Sequence, residues 1–112
     1  MKYIISIIQP SKLEAVREAL SALGLSGMTV SEVQGYGRQQ GKTEIYRGAE
    51  YETHFLPKIK IEIGTDSKMA AAAVEAISQA AHTDRIGDGK IFIIDLADAV
   101  RIRTGETGSD AV

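Results

Sequence analysis

A chain of 112 residues and 12.0 kDa is long enough for one domain built around a single core. Its 44% hydrophobic and 25% charged residues argue against wholesale disorder, and a formal charge of -2 with a pI near 5.7 gives no electrostatic footprint for nucleic acid or an anionic membrane. Without cysteine, disulfides and thiolate metal sites are excluded.

The opening "MKYIISIIQP" is apolar for only a few residues before its proline, too short for a spanning helix and without a small-residue cleavage site. A soluble cytoplasmic protein is expected. Ile4, Ile5, Ile7 and Ile8 form a β-branched run suited to a buried strand over residues 2–9. In "PSKLEAVREALSALG", Ser11 and Glu14 have the spacing of a capping box. Leu13, Val16, Leu20 and Leu23 fall on one helical face, and Gly24 is placed to end the helix. Residues 28–36 again favour strand.

"GRQQGKTEIYRGAEY" (37–51) follows, with three glycines, mixed charges and no helical or strand period. Long structureless connections are uncommon inside compact domains, so this one is functional, disordered or misread. Beyond it "LPKIKIEIG" alternates: Ile59, Ile61 and Ile63 face one side, Lys58, Lys60 and Glu62 the other. A second helix is predicted from about Ser67 to Ala81, capped by Asp66 or Ser67, with Ala70, Val74, Ile77 and Ala81 on its apolar face. "HTDRIGDGK" reads as a loop and "IFIIDLADAV" as a long final strand.

This order predicts one α+β domain of the ferredoxin-like βαββαβ kind. It has a four-stranded, mainly antiparallel sheet, two helices on one face, and a long loop between the second and third strands. The first and last strands are apolar on both sides, so the uncovered face calls for another subunit, and a homo-oligomer is expected.

Several residues could carry chemistry. Gly87 and Gly89 flank Asp88, with Lys90 next; such glycines let backbone N–H groups approach phosphate oxygens. The spacing is not that of a Walker A loop, and Gly-Asp-Gly before a strand is by itself more often a turn. In extended chain Arg101 and Arg103 would point the same way and suit a polyphosphate; alone they read as solvated basic residues. Glycines, Lys90 and both arginines together make phosphate binding the better reading. Lys58, at the base of the long loop, is either an outward-facing surface lysine or an anion clamp. His54 and His82 lack an acidic partner at triad or metal-ligand spacing and read as surface residues. No catalytic constellation appears, so no enzyme is expected. RNA-recognition domains share the element order, but their third-strand aromatics are absent from "KIKIEIG".

Taken together, "YRGAEY" (46–51), "TDRIGDGKIFIIDL" (83–96) and "RIRTGE" (101–106), with "GMTVSEVQGYGRQ" and "FLPKIKIEI", resemble the PII nitrogen-regulatory signal-transduction family across essentially the whole chain. The resemblance implies a homotrimer that binds ATP or ADP in clefts between subunits and, with Mg2+ and ATP, 2-oxoglutarate. Residues 37–55 correspond to the family's T-loop, 82–90 to the B-loop and 101–112 to the C-terminal loop. Carried over residue by residue, Gly35, Gly37, Arg38, Gly87, Asp88, Gly89 and Lys90 belong to the nucleotide site. Arg101 and Arg103 would reach it from a neighbouring subunit, and Thr29 and Glu62 match positions near the adenine. Gln39 matches the Mg2+ ligand, and Gln39, Lys58 and Gly87 the 2-oxoglutarate site. Tyr51 matches the tyrosine that proteobacterial members have uridylylated, whereas Ala49 closes the serine phosphorylation route of cyanobacterial ones. Implied partners are an ammonium transporter, a uridylyltransferase and other nitrogen-control proteins reached through the T-loop, with membrane contact only through a transporter and no nucleic acid.

The chain departs from the family at Gln40, commonly lysine, at Gln9, at His54, and at Gly64, where the missing side chain is expected to enlarge the base pocket or loosen the strand. These departures point to a specialised paralogue. The principal expectation is therefore a non-enzymatic sensor of ATP/ADP and 2-oxoglutarate. A paralogue sensing adenylates only is the alternative, on the strength of Gln40, and a small phosphohydrolase using the glycine loop is a third reading that lacks a general base.

Overall fold

The computed structural model describes residues 1–36, 44–46, 49–51 and 55–112, with backbone alone for 44–46 and 49–51. In chain order it contains β1 (Lys2–Ile8), α1 (Leu13–Ala22), β2 (Thr29–Gly35), β3 (Glu44–Tyr46), β4 (Ala49–Tyr51), β5 (Leu56–Thr65), α2 (Ser67–Ala81) and β6 (Gly89–Asp95), with 3-10 turns at Pro10–Lys12 and Gly108–Ala111. Four strands form an antiparallel sheet in the order β2-β5-β1-β6. This is the ferredoxin-like α+β arrangement that the element order predicts.

Burial follows the strand period. Ile4 and Ile8 of β1 and Ile59, Ile61 and Ile63 of β5 lie on one sheet face, buried against Val16 and Leu20 of α1 and Ala70, Ala73, Ile77 and Ala81 of α2. The opposite face carries Tyr3, Ile5 and Ile7 of β1 with Phe92 and Ile94 of β6, the last two about half exposed at 49% and 48%. Ile93 is 53% exposed although it points to the helical side, because β6 is the edge strand and α2 does not extend over it. Both surfaces leave apolar area uncovered. No helix among the described residues is long and apolar enough to cross a membrane.

Ser6 is the exception in the core. It is fully buried between Ile61 and Ile91 in the strand register, and its hydroxyl finds no partner among the described residues. A buried, unpaired hydroxyl costs about 1–3 kcal/mol. Ser6→Ala is expected to raise stability by about 1 kcal/mol, read as a higher urea midpoint at unchanged slope. A lower midpoint would mean the hydroxyl is satisfied.

The helix ends show what local patterns decide. Gly24 adopts φ +82°, its N–H donating to the Ser21 carbonyl at 2.9 Å while Leu25 N–H reaches the Leu20 carbonyl at 3.0 Å. That double bond pattern ends α1 and turns Leu25 back onto the core. At α2 the Asp66 carboxylate accepts the Met69 N–H at 2.9 Å, the cap expected there. The Ser11–Glu14 capping box does not form. Pro10 already winds the chain into a 3-10 turn, so Ser11 sits inside that turn and Lys12 takes the cap position without a side-chain bond. Glu14 instead accepts two bonds from Arg17, at 2.8 and 3.1 Å.

Two further expectations change. The stretch without a period contains a short hairpin, β3 with β4, pairing Glu44 with Tyr51 and Tyr46 with Ala49. Three-residue strands are too short to display a period. The last strand runs over Gly89–Asp95, two residues earlier than predicted and ending well before Val100. Its end coincides with the end of β1: Lys2 is the register partner of Asp95 and ion-pairs with it, and no strand remains for Leu96 to continue along.

Candidate functional site

One end of the sheet is built around the loop 82–88. The Asp88 carboxylate accepts the Thr83 N–H at 2.7 Å, the Asp84 N–H at 3.0 Å and the Thr83 hydroxyl. Those bonds, led by the hydroxyl, hold the Asp88 carboxyl below its usual range. A lowered carboxyl pKa keeps the stabilisation intact at neutral pH and loses it only in acid, as the pH falls through the folded-state value. The side chain of Asp88 is thus engaged by its own loop, and any phosphate contact from this residue falls to its backbone N–H. His82 Nε2 lies 3.8 Å from Asp84 Oδ1, an acidic neighbour that the sequence spacing did not suggest.

Gly87 and Gly89 both take φ +105°, a left-handed conformation that side chains rarely adopt. At Gly89 a Cβ would lie 1.7 Å from the Ile7 carbonyl oxygen, so the backbone passes directly against β1. Lys58 is buried, 7% exposed, and its Nζ donates to the Gly87 carbonyl at 2.6 Å. The surface-lysine reading is therefore set aside. Gly35 explains how such a side chain is accommodated: a Cβ there would meet Lys58 Cγ at 3.1 Å. Burial pushes the Lys58 ammonium below its ordinary pKa, with Asp88 opposing the shift.

Ile7, Gly35, Tyr36, Leu56, Lys58, Ile86, Gly87, Gly89, Lys90 and Phe92 line a cleft of about 600 Å³ at this end, well within the size of small-ligand sites. Its floor is apolar, its loop wall carries backbone donors, and two lysines supply positive charge. Such a surface suits a ligand with an apolar ring and an anionic tail. Tyr36 packs on Phe55 beside it, ring centroids 5.7 Å apart. Among the described residues no group of three or more His, Asp or Glu could hold a metal ion.

The other proposed nucleotide residues lie further along the sheet from this loop, or beyond it. Thr29 and Glu62 are register partners across β2 and β5. Glu62 accepts the Tyr3 hydroxyl, which raises the phenol's pKa, and sits 3.6 Å from Lys60 Nζ. Arg101 and Arg103 follow β6 beyond Asp95. Their segment is a turn, not extended chain: Gly105 N–H donates to the Arg101 carbonyl at 2.8 Å, and Arg101 N–H to the Glu106 carbonyl at 2.8 Å. The alternation argument for two parallel guanidinium groups does not apply in that turn. Arg101 reaches the Asp110 carbonyl at 3.2 Å and Glu106 at 3.6 Å.

Gly64 does not open a pocket here. A Cβ at this position would meet Val112 Cγ1 at 3.2 Å and Leu96 Cδ2 at 3.6 Å, so the glycine seats the chain's own last residue. Gly37, Arg38, Gln39, Gln40 and His54 lie outside the described residues, and Tyr51 is described only as a backbone position in β4. Sequence reasoning missed Thr83, the apolar floor of Ile7 and Phe92, and the flanking Tyr36. The one local signal for Thr83 was its kind, a hydroxyl beside a loop that contains Asp.

Comparison with known proteins agrees with this architecture. The family described as "Nitrogen regulatory protein P-II" matches residues 1–106. Proteins named nitrogen regulatory protein P-II from Rhizobium etli and Cereibacter sphaeroides are each 60% identical to this chain over 112 residues, covering all of both chains. One from Azospirillum brasilense is 57% identical over the same full length. The chain belongs to the nitrogen regulatory protein P-II family.

Proposed function

We propose that the protein is a homotrimeric sensor that binds ATP or ADP between subunits and 2-oxoglutarate at the base of the 37–55 loop, and reports both to nitrogen-control proteins through that loop. The observation that carries the reading is the split of its candidate residues between two ends of one sheet. Gly87, Gly89 and Lys90 stand at the start of β6, and Arg101 and Arg103 beyond its far end. Lys90 and the end of β6 at Asp95 are five residues, about 17 Å, apart, and the arginines follow that end. Thr29 and Gly35 are likewise at opposite ends of β2, about 20 Å apart. One phosphate chain cannot touch both groups within one protomer, whereas a second copy can offer its far end to the first copy's cleft. The half-exposed Phe92 and Ile94 on the open face supply apolar area for such an assembly.

The cleft fits the group it would hold. The apolar side chains of Ile7, Leu56, Ile86 and Phe92 suit an adenine ring, and Lys58 and Lys90 complement phosphate charge. Gln39 would hold a Mg2+ ion bound with the triphosphate, and that ion would supply positive charge for the phosphates and for 2-oxoglutarate. Lys58 would pair with that acid's distal carboxylate, exchanging the Gly87 carbonyl for it. A ligand bound at the loop base shifts the loop's conformational population, which is how an acid could alter partner binding. Uridylylation of Tyr51 would add bulk and negative charge to the same surface. The ammonium transporter and uridylyltransferase are the proposed partners, reached from the cytoplasm.

Light scattering after size exclusion tests the assembly: about 36 kDa, three times the 12.0 kDa chain, is expected, and a monomer mass overturns the shared-site reading. Titration calorimetry tests the ligands. ATP should bind alone, and 2-oxoglutarate only with Mg2+ and ATP present. ATP heat without any 2-oxoglutarate heat would select the adenylate-only paralogue that Gln40 suggests.

A further inference from the structure

Thr83 belongs to no ligand set considered above, yet it makes more loop contacts than any glycine beside it. Its N–H donates to Asp88 Oδ2 at 2.7 Å, its hydroxyl donates to Asp88 Oδ1, and the same hydroxyl oxygen accepts the Arg85 N–H at 3.3 Å. Asp84 N–H adds a third bond to the Asp88 carboxylate at 3.0 Å. That bond holds Asp84 at φ +65°, the one positive φ outside glycine among the described residues. A side chain in that region is held by its surroundings, because its free conformation is disfavoured.

We infer that Thr83 and Asp88 form a clasp that positions the Gly87–Lys90 backbone for its anionic ligand, and that Thr83 acts as a positioning residue for the cleft. The inference rests on the nucleotide-sensor reading above. The clasp pins both ends of the loop, so only residues 85–87 lie between fixed points. From there Gly87 leaves at φ +105° with its carbonyl 2.6 Å from Lys58 Nζ, and Gly89 enters β6 against Ile7. Donors already ordered in the free protein save the ligand the entropy of arranging them. Loosening the loop removes that advantage without removing any group that touches the ligand.

The test uses the full chain with Thr83→Val, Thr83→Ser and Asp88→Asn. Thr83 is exposed, so loss of its hydroxyl does not threaten the core. Backbone amide exchange over residues 83–88 reads the clasp with no ligand present, and ATP calorimetry reads its consequence. Thr83→Val and Asp88→Asn are expected to speed exchange of the Thr83 and Asp84 amides and weaken ATP about 10-fold. Thr83→Ser should restore both to within about 2-fold, with melting temperatures of all variants within a few degrees of wild type. Faster exchange with unchanged ATP affinity in Thr83→Val would overturn the positioning role, and so would unchanged exchange. A wild-type protein that binds no ATP takes down the sensor reading, and the inference with it, before any variant is made.

Discussion

Gly89→Ala is expected to destabilise the domain by more than about 4 kcal/mol and to abolish ligand binding at the cleft. The reason lies in two features of one position. Its φ of +105° is strained for any residue with a Cβ, and that Cβ would be placed 1.7 Å from the Ile7 carbonyl oxygen and 2.8 Å from the Ile7 carbonyl carbon. Neither neighbour is a flexible side chain that could swing aside; both are backbone of the central strand β1. Relief therefore requires opening the register where Ile8 faces Gly89 and Ile7 faces Lys90. That opening withdraws Lys90 and the loop from the cleft. Domains of this size are stable by only about 5–15 kcal/mol, so a large fraction of the total is at stake. Gly24→Ala is the control. It has a similar φ of +82° but nothing within 4 Å of a built Cβ, and should cost only about 1 kcal/mol. Urea melts followed by circular dichroism separate the two; equal midpoints would show that β1 yields to the methyl group.

Much of the scaffold was legible because period and burial agree along single segments. The alternation of Ile59, Ile61 and Ile63 in β5, the Val16 and Leu20 face of α1 and the Gly24 stop signal need no partner to be recognised. What was not legible depends on contacts between distant segments. The last strand ends at Asp95 because β1 begins at Lys2, a pairing 93 residues apart. Lys58 reads as an outward side chain by alternation, and does point away from the helices, but Gly35 and the Gly87 carbonyl bury it. Gly64 looked like a gap in a ligand pocket, yet Val112, at the far end of the chain, fills it. The Ser11–Glu14 pattern fails for a local reason: the proline immediately before the presumed cap already sets the backbone. The glycine loop was recognised by its spacing, whereas the Thr83–Asp88 bonds that shape it follow from its folded path.

Lys58→Met should separate stability from sensing. Lys58 is 7% exposed, and the pKa of its ammonium is pushed down by burial, with the Asp88 charge opposing the shift. By linkage, the folded state holds this proton less tightly than the unfolded chain does. The charge therefore opposes folding at neutral pH, and the opposition fades only as pH rises from the folded value through the ordinary lysine range. Methionine keeps the unbranched stem that packs across Gly35 and removes the charge. The Gly87 carbonyl, on a partly buried residue, then has to turn to water, which offsets part of that gain. Expected in scanning fluorimetry at pH 7.5 is a melting temperature equal to wild type or a few degrees higher. The proposed 2-oxoglutarate site should behave in the opposite way. Removing one member of a buried charge pair costs about 2–5 kcal/mol, so on the proposed assignment the acid's affinity should fall about 30-fold or more, while ATP alone, for which the glycine loop is the proposed anchor, should lose far less. A drop of several degrees in melting temperature would mean the Nζ–Gly87 bond outweighs the burial penalty, and retained 2-oxoglutarate heat would remove Lys58 from the site. A lysine kept buried at a cost to folding, on the wall of the cleft proposed for the acid, is what a binding role for this residue requires.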